Sequence, residues 1–242
     1  MNWAPAFLAN PERFMAFSRW AAPLFGVIAA VLAVVGLYLG FTAPEDYQQG
    51  QTVRIMFIHV PAAWLASFIY LCLGVASFLS LIFRHALADA AAQAAAPLGA
   101  AFTLLALVTG SLWGRPMWGA FWVWDARLTS VLVLFLLYVA YIALRASMDD
   151  EAKAARAAAI LALVGAVNLP IVHYSVDWWN TLHQGASVFK KGGSSLAPVF
   201  LHPLLIMGLA YLSAFGSLWL VGIRGEVWRR RAEAAALRAA KA

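Results

Sequence analysis

The chain is 242 residues long, 64% hydrophobic and only 12% charged, with a formal net charge of +6 and a pI of about 9.8. An average soluble domain carries about a quarter charged residues, so composition excludes an ordinary soluble fold. The basic residues are scattered and form no stripe suited to nucleic acid.

The single cysteine, Cys72, leaves no internal disulfide and no structural zinc cluster. The sequence contains neither Cys-x-x-Cys-His nor a P-loop, so any nucleotide-driven step is expected from a partner. Long apolar runs cover residues 20–42, 60–83, 95–113, 128–144, 157–176 and 196–223. None alternates with period two, and lipid offers open backbone groups no partner. The expected fold class is therefore an all-α membrane protein, a bundle of six transmembrane helices. The first run is too long for a signal-peptide core and no Ala-x-Ala site follows it, so it reads as a retained helix, with the mature chain beginning near Met1.

Lys and Arg in the connecting segments set the orientation. One side holds Arg13, Arg19, Arg84, Arg145, Lys153, Arg156, Arg224, Arg229, Arg230, Arg231, Arg238 and Lys241, which is twelve, and the other holds Arg54, Arg115, Arg127, Lys190 and Lys191, which is five. The richer side is expected to be cytoplasmic. Both termini then lie inside, and segments 43–59, 114–127 and 177–195 lie outside. Residues 1–223 read as one polytopic domain, and 224–242 as a basic helical tail on the anionic inner surface or against a partner. The inner links 84–94 and 147–156 read as solvated connectors.

In the first outer segment, His59-Val60-Pro61 places a proline near the expected first position of a helix, with His59 at the outer rim. In the second, Trp113, Trp118, Trp122 and Trp124 put four of the eleven tryptophans into thirteen residues, mixed with Gly114, Pro116 and Gly119. Two readings stay open here: an interfacial aromatic belt, and a flat apolar platform for a ligand. Asp125 follows, as the N-cap of the fourth span or an ion-pair partner of Arg127. The third segment adds Trp178 and Trp179, then His183.

Two histidines on separate outer segments, each beside aromatic residues, suit a flat ligand whose metal accepts imidazole. Heme fits that description, and Arg54, Arg115 and Arg127 lie on the side where its propionates need charge. The other histidines read differently. His85 sits at an inner helix end, and His202 is a weaker ligand candidate. His173, three residues after Pro170, is expected to satisfy a carbonyl freed by the proline.

The string from Trp113 to Arg127 resembles the WWD domain of heme-handling membrane proteins. Val176-Asp-Trp-Trp-Asn-Thr-Leu-His-Gln-Gly185, Ala43-Pro-Glu-Asp-Tyr-Gln-Gln-Gly50 and His59-Val-Pro-Ala-Ala63 are similar to loops of the heme exporter protein C family. The likeness covers roughly residues 20 to 190. It implies a bacterial inner-membrane protein with heme b at the periplasmic face. His59 and His183 are then the external histidines associated with heme iron, and Trp113, Trp118, Trp122, Trp124 and Asp125 belong to the heme-facing loop. It further implies covalent transfer of heme to a histidine of a periplasmic heme chaperone, cytochrome c maturation protein E, in c-type cytochrome biogenesis. A small membrane protein D and ABC-transporter subunits A and B are the other implied partners. Residues 190–197 and the His202-Pro203 pair depart from the family pattern.

Presentation of heme by a module with little chemistry of its own is the leading expectation, since any lyase-like step needs the partner's histidine. A transporter moving heme across the inner membrane is the alternative, but the spans keep their charged groups at their ends. A purely structural docking subunit leaves the aromatic loops unexplained. Reporter fusions after Asp46, Gly119 and Gly192 are expected to read periplasmic, and those after Ala88, Asp150 and Ala234 cytoplasmic. Inverted reporter activity at two of these sites overturns the orientation.

Overall fold

A computed structural model describes residues 10–185 and 187–240. Met1 and Lys241, used above, lie outside the described residues. The Asn10 side chain opens the first helix by accepting a hydrogen bond from the Glu12 backbone N–H at 2.9 Å, and Pro11 follows where no donor is needed.

Helix α1 runs Pro11–Thr42, and a 3-10 turn at Gln51–Ile55 leads into α2, Met56–Phe83. Then come α3 (Ala86–Trp118), α4 (Ala126–Ala146), α5 (Glu151–Gly165), α6 (Asn168–Trp178) and α7 (Pro198–Ala239). Helices α5 and α6 form one interrupted span. The described residues thus contain six helical spans long and apolar enough to cross a membrane. No strand occurs among them, only an isolated bridge between Asp46 and Gly50. The all-α, six-span expectation holds.

Several boundaries differ from those expected. Most of the expected 84–94 connector, residues 86–94, is helix, because its alanines favour helix and the His85 Nδ1 caps them by accepting from the Ala88 N–H at 3.2 Å. Pro61 lies inside α2 rather than at its first position, since the helix begins at Met56. His59 therefore sits one turn into the helix instead of at its rim. Helix α3 continues five residues past Trp113 and ends where Gly119, at φ 79°, donates to the Arg115 carbonyl.

The interruption at Ala166–Val167 precedes Pro170 by four residues, the spacing at which proline cannot donate to the Ala166 carbonyl. The Leu169 N–H takes its place at 3.0 Å. His173 is not needed there: its ring is exposed, edge-on to Tyr174 at 4.6 Å, which corrects the expected role.

The core gathers Tyr70 and Leu73 of α2, Ala95 and Ala96 of α3, Leu134, Tyr138 and Tyr141 of α4, Ala158 and Ala162 of α5 and Phe215 of α7. Gly99 brings α3 onto the Tyr138 ring, where a Cβ would overlap its atoms. Helix α1 packs chiefly along α7, and the Ser217 hydroxyl donates to the Ala22 carbonyl at 2.8 Å.

At the end holding the termini, a charge network joins the helices. Asp89 of α3 accepts from Arg145 of α4 at 2.8 Å and from Arg230 of α7. Glu226 pairs with Arg229 and Arg230, Arg229 reaches Glu151 of α5 at 2.6 Å, and Arg231 reaches Glu12 of α1 at 2.6 Å. The first part of the basic tail, through Arg231, is thus bound to the protein's own helices, while residues 232–240 are exposed.

Burial decides which of these pairs matters. The Asp89 side chain is 12% exposed and its loss leaves Arg145 without a carboxylate partner and Arg230 with Glu226 alone, a change that costs about 3–5 kcal/mol. The Glu151 side chain is 58% exposed, where a pair contributes about 0–1 kcal/mol. Thermal unfolding in detergent is expected to show a large loss for Asp89→Ala and almost none for Glu151→Ala; equal shifts would refute this ranking.

Candidate functional site

Three chain segments converge at the end opposite the termini. His59, in the first turn of α2, turns toward α3: its Nδ1 lies 3.0 Å from the Ala106 carbonyl and 3.2 Å from the Thr109 hydroxyl. Gly110 makes room for it, since a Cβ there would stand 2.8 Å from the ring's Cε1. One turn farther along α3, Trp113 meets the imidazole edge-on at 5.7 Å. The Trp113 indole N–H donates to the Gln49 side-chain oxygen at 3.1 Å, tying the first loop to α3.

The second loop shortens to the residues between Trp118 and Ala126. Asp125 caps α4, its Oδ1 accepting from the Leu128 N–H at 2.7 Å, as one of the two expected roles required. Its Oδ2 faces the third loop instead of Arg127: it accepts from the Leu182 N–H at 3.3 Å and lies 3.4 Å from the His183 Nδ1. The Trp118 ring packs edge-on against His183 at 4.9 Å.

His183 lies outside the spans, and burial holds its imidazole below the ordinary value of 6.5. Asp125 opposes that shift by charge and hydrogen bonding, and Arg127 reinforces it. At neutral pH the ring is uncharged. A proton on Nδ1, toward the carboxylate, leaves Nε2 as the free acceptor, the form in which histidine binds a metal.

The arginines part company. Arg127 of α4 donates to the Ser175 hydroxyl at 2.6 Å and the His173 carbonyl at 3.4 Å, and its charge is felt by His183. Arg115 folds back onto the Gly119 carbonyl and over the Phe121 ring at 5.6 Å. Arg54 donates to the Ala43 carbonyl at 3.5 Å, and its Nε is buried without an acceptor among the described residues.

The aromatic residues form two groups. Trp122 and Trp124 meet edge-on at 5.4 Å, with the Trp122 N–H buried and unpartnered among the described residues, while Trp124 is 76% exposed. Trp178 stacks on Tyr174 at 5.3 Å and meets Trp179 edge-on at 5.8 Å, all three exposed. No aromatic contact among the described residues joins this pair to His183. His202, exposed in the second turn of α7, contacts neither candidate histidine through a hydrogen bond or ring pair among those residues. Gln49, Ala106, Thr109, Gly110 and Ser175 are the supports that sequence reasoning missed. A signal existed only for the Thr109-Gly110-Ser111 break in an apolar run.

A family model described as heme exporter protein C matches residues 5–238. The chain belongs to the heme exporter protein C family. Heme exporter protein C of Bradyrhizobium diazoefficiens is 58% identical over 224 residues, covering 93% of this chain and 85% of that protein. Heme exporter protein C of Escherichia coli K12 is 50% identical over 210 residues, covering 86% and 84%. A putative cytochrome c biosynthesis ccmC-like mitochondrial protein of Marchantia polymorpha is 46% identical over 200 residues, covering 80% and 85%. For this member of the heme exporter protein C family, the contacts above give the family resemblance of its loops a physical form.

The opposing effects on His183 make a signed prediction. Because its folded pKa is lowered, the neutral ring's contribution to stability is complete above about 6.5 and is lost as pH falls toward the lowered value. Asp125→Asn keeps a capping side chain but removes the negative charge, so the His183 midpoint, followed by NMR of 15N-labelled histidine, is expected to move further toward acid. A midpoint that stays or rises would show that Asp125 does not act on this ring.

Proposed function

We propose that the chain binds heme b as cargo at the loop end of the bundle and presents it for covalent attachment to a histidine of a periplasmic heme chaperone during c-type cytochrome biogenesis. The observation that carries this reading is the His183 imidazole, held between the Asp125 carboxylate and the Trp118 ring at the edge of an exposed aromatic loop. His59, at the same end and braced by the Ala106 carbonyl and the Thr109 hydroxyl, is the second proposed iron ligand. Heme brings a flat ring that stacks on aromatic faces, an iron that accepts imidazole, and two propionates.

The residues suit those needs. Trp113, Trp118, Trp122, Trp124, Trp178 and Trp179 supply ring faces. A buried N–H without an acceptor is costly, by about 1–3 kcal/mol, and the unpartnered Trp122 N–H and Arg54 Nε are donors fit for carboxylate oxygens. Arg115 and Arg127 add charge at the same end. The twelve-to-five excess of Lys and Arg supports a periplasmic loop end and cytoplasmic termini. The proposed partners are cytochrome c maturation protein E, small protein D and ABC subunits A and B, in a bacterial inner membrane. Conduction through the bundle has less support, because the most buried charged side chains among the described residues, Asp89, Arg145, Glu226 and Asp125, lie at the ends of the spans rather than at mid-depth.

An absorption spectrum of the detergent-purified chain tests the reading. Single Trp→Ala changes are expected to weaken heme retention modestly, since each ring contact is worth about 0.5–1.5 kcal/mol beyond burial. Changing Trp118, Trp122 and Trp124 together is expected to abolish it. His59→Ala and His183→Ala are each expected to shift the Soret band, with partial rescue by external imidazole, whereas His85→Ala leaves it unchanged. A triple variant with normal heme content, or histidine variants with unaltered spectra, would return the aromatic cluster to the role of an interfacial belt.

A further inference from the structure

At the opposite end, where α1 begins and α7 leaves the apolar layer, the two helices enclose a groove of about 380 Å³. Met15 and Arg19 of α1 face Arg224, Trp228 and Arg231 of α7, with Glu12 beside Arg231. These residues recur at three- and four-residue spacing on each helix, so each wall is one helix face. Three guanidiniums meet a single carboxylate.

The depth of the groove is fixed independently by the sequence. The first apolar run starts at Trp20, immediately after Arg19, and the last ends at Ile223, immediately before Arg224. The two boundaries touch: Arg224 donates to the Met15 carbonyl at 2.8 Å and to the Ser18 hydroxyl at 3.1 Å. The groove therefore lies at the level where hydrocarbon gives way to headgroups. Exposed Trp20 and Trp228 carry the indoles typical of that level.

Each arginine is prepared differently. Arg224 is fixed by its two hydrogen bonds, and Arg231 lies over the Trp228 ring at 5.3 Å while paired to Glu12. Arg19 is exposed and makes no hydrogen bond or ion pair among the described residues. Guanidinium matches phosphate oxygens in a two-pronged geometry and is weakly hydrated, so it suits a phosphodiester at an interface. Toward the membrane, Trp20 and Leu24 of α1 and Leu218 and Val221 of α7 are exposed and apolar.

We propose that this groove binds the headgroup phosphate of an anionic phospholipid, whose acyl chains run along the exposed apolar flanks of α1 and α7. A free anion has no use for those flanks. A zwitterionic lipid brings a cation that the three arginines oppose. This site is separate from the loop end, and its test does not depend on the heme reading.

The full-length chain, purified in detergent, is titrated with phosphatidylglycerol or with phosphatidylcholine of the same acyl chains, and bound lipids are counted by native mass spectrometry. Phosphatidylglycerol is expected to be retained several-fold more strongly, and to raise the melting temperature where millimolar inorganic phosphate does not. Arg19→Gln is expected to weaken retention about fivefold, the effect of one interfacial basic residue, without changing the lipid-free melting temperature. Arg19→Gln with Arg231→Gln weakens it further, whereas Arg156→Gln, on α5 at the same end, leaves it unchanged. Equal retention of the two lipids, normal retention by Arg19→Gln, or equal protection by inorganic phosphate each overturns the proposal. If the double variant does not fold, the single Arg19→Gln comparison decides.

Discussion

The loop end of this protein is organised around the Asp125 carboxylate, whose two oxygens answer to different parts of the chain. Oδ1 completes the first turn of α4, a cap worth about 1 kcal/mol that also places negative charge at the positive end of the helix dipole. Oδ2 holds the Leu182 N–H and faces the His183 ring. A carboxylate used only as a cap would leave the third loop without its anchor to α4. Because both tasks fall on one side chain that is 6% exposed, the position of His183 is coupled to the start of a membrane-spanning helix rather than to loop residues alone.

The two ends of the bundle are built on different principles. At the termini end, Asp89, Arg145, Arg230, Glu226, Arg229 and Glu151 join α3, α4, α5 and α7 through charge-assisted hydrogen bonds. Partners of opposite sign satisfy one another there, which suits a region that holds helices in place. At the loop end, the charged groups are spread among backbone carbonyls, hydroxyls and an imidazole, and aromatic faces stay exposed. The tyrosine-rich core between them, with Tyr70 and Tyr138 edge-on at 5.0 Å, gives the loops a packed base.

The spans were legible in the sequence because a bilayer imposes their length and leaves only helices able to satisfy the backbone. Their ends were less legible. Hydropathy stops where polarity begins, whereas the backbone of α3 goes on to Trp118 and that of α7 to Ala239. Pro61 was misleading as a start signal because the 3-10 turn at Gln51–Ile55 and five residues of α2, Met56 to Val60, precede it. Asp125 as a cap was readable from its place before an apolar run. Its hold on His183 was not, since 58 residues separate the partners and only the folded bundle brings them together. The same holds for Gln49 with Trp113 and Ser175 with Arg127.

The two proposed iron ligands are held in unequal ways, and that inequality bears on presentation. His59 belongs to a membrane helix and is braced from within the bundle by the Ala106 carbonyl, the Thr109 hydroxyl and the close approach allowed by Gly110. Moving it requires sliding α2 against α3, two elements packed along their length. His183 sits in a segment without helix or strand among its described residues; its ring is restrained by one long contact to Asp125 and the edge of Trp118, and the backbone beside it by the Thr181 hydroxyl and the Asp125 carboxylate at 3.3 Å each. Ordering such a loop costs conformational entropy at each fixed residue, so releasing it returns part of what its contacts supply. A module that presents cargo must bind on one side and yield on the other. In the proposed function His59 would be the more firmly placed of the two residues and His183 the one whose loop yields more readily.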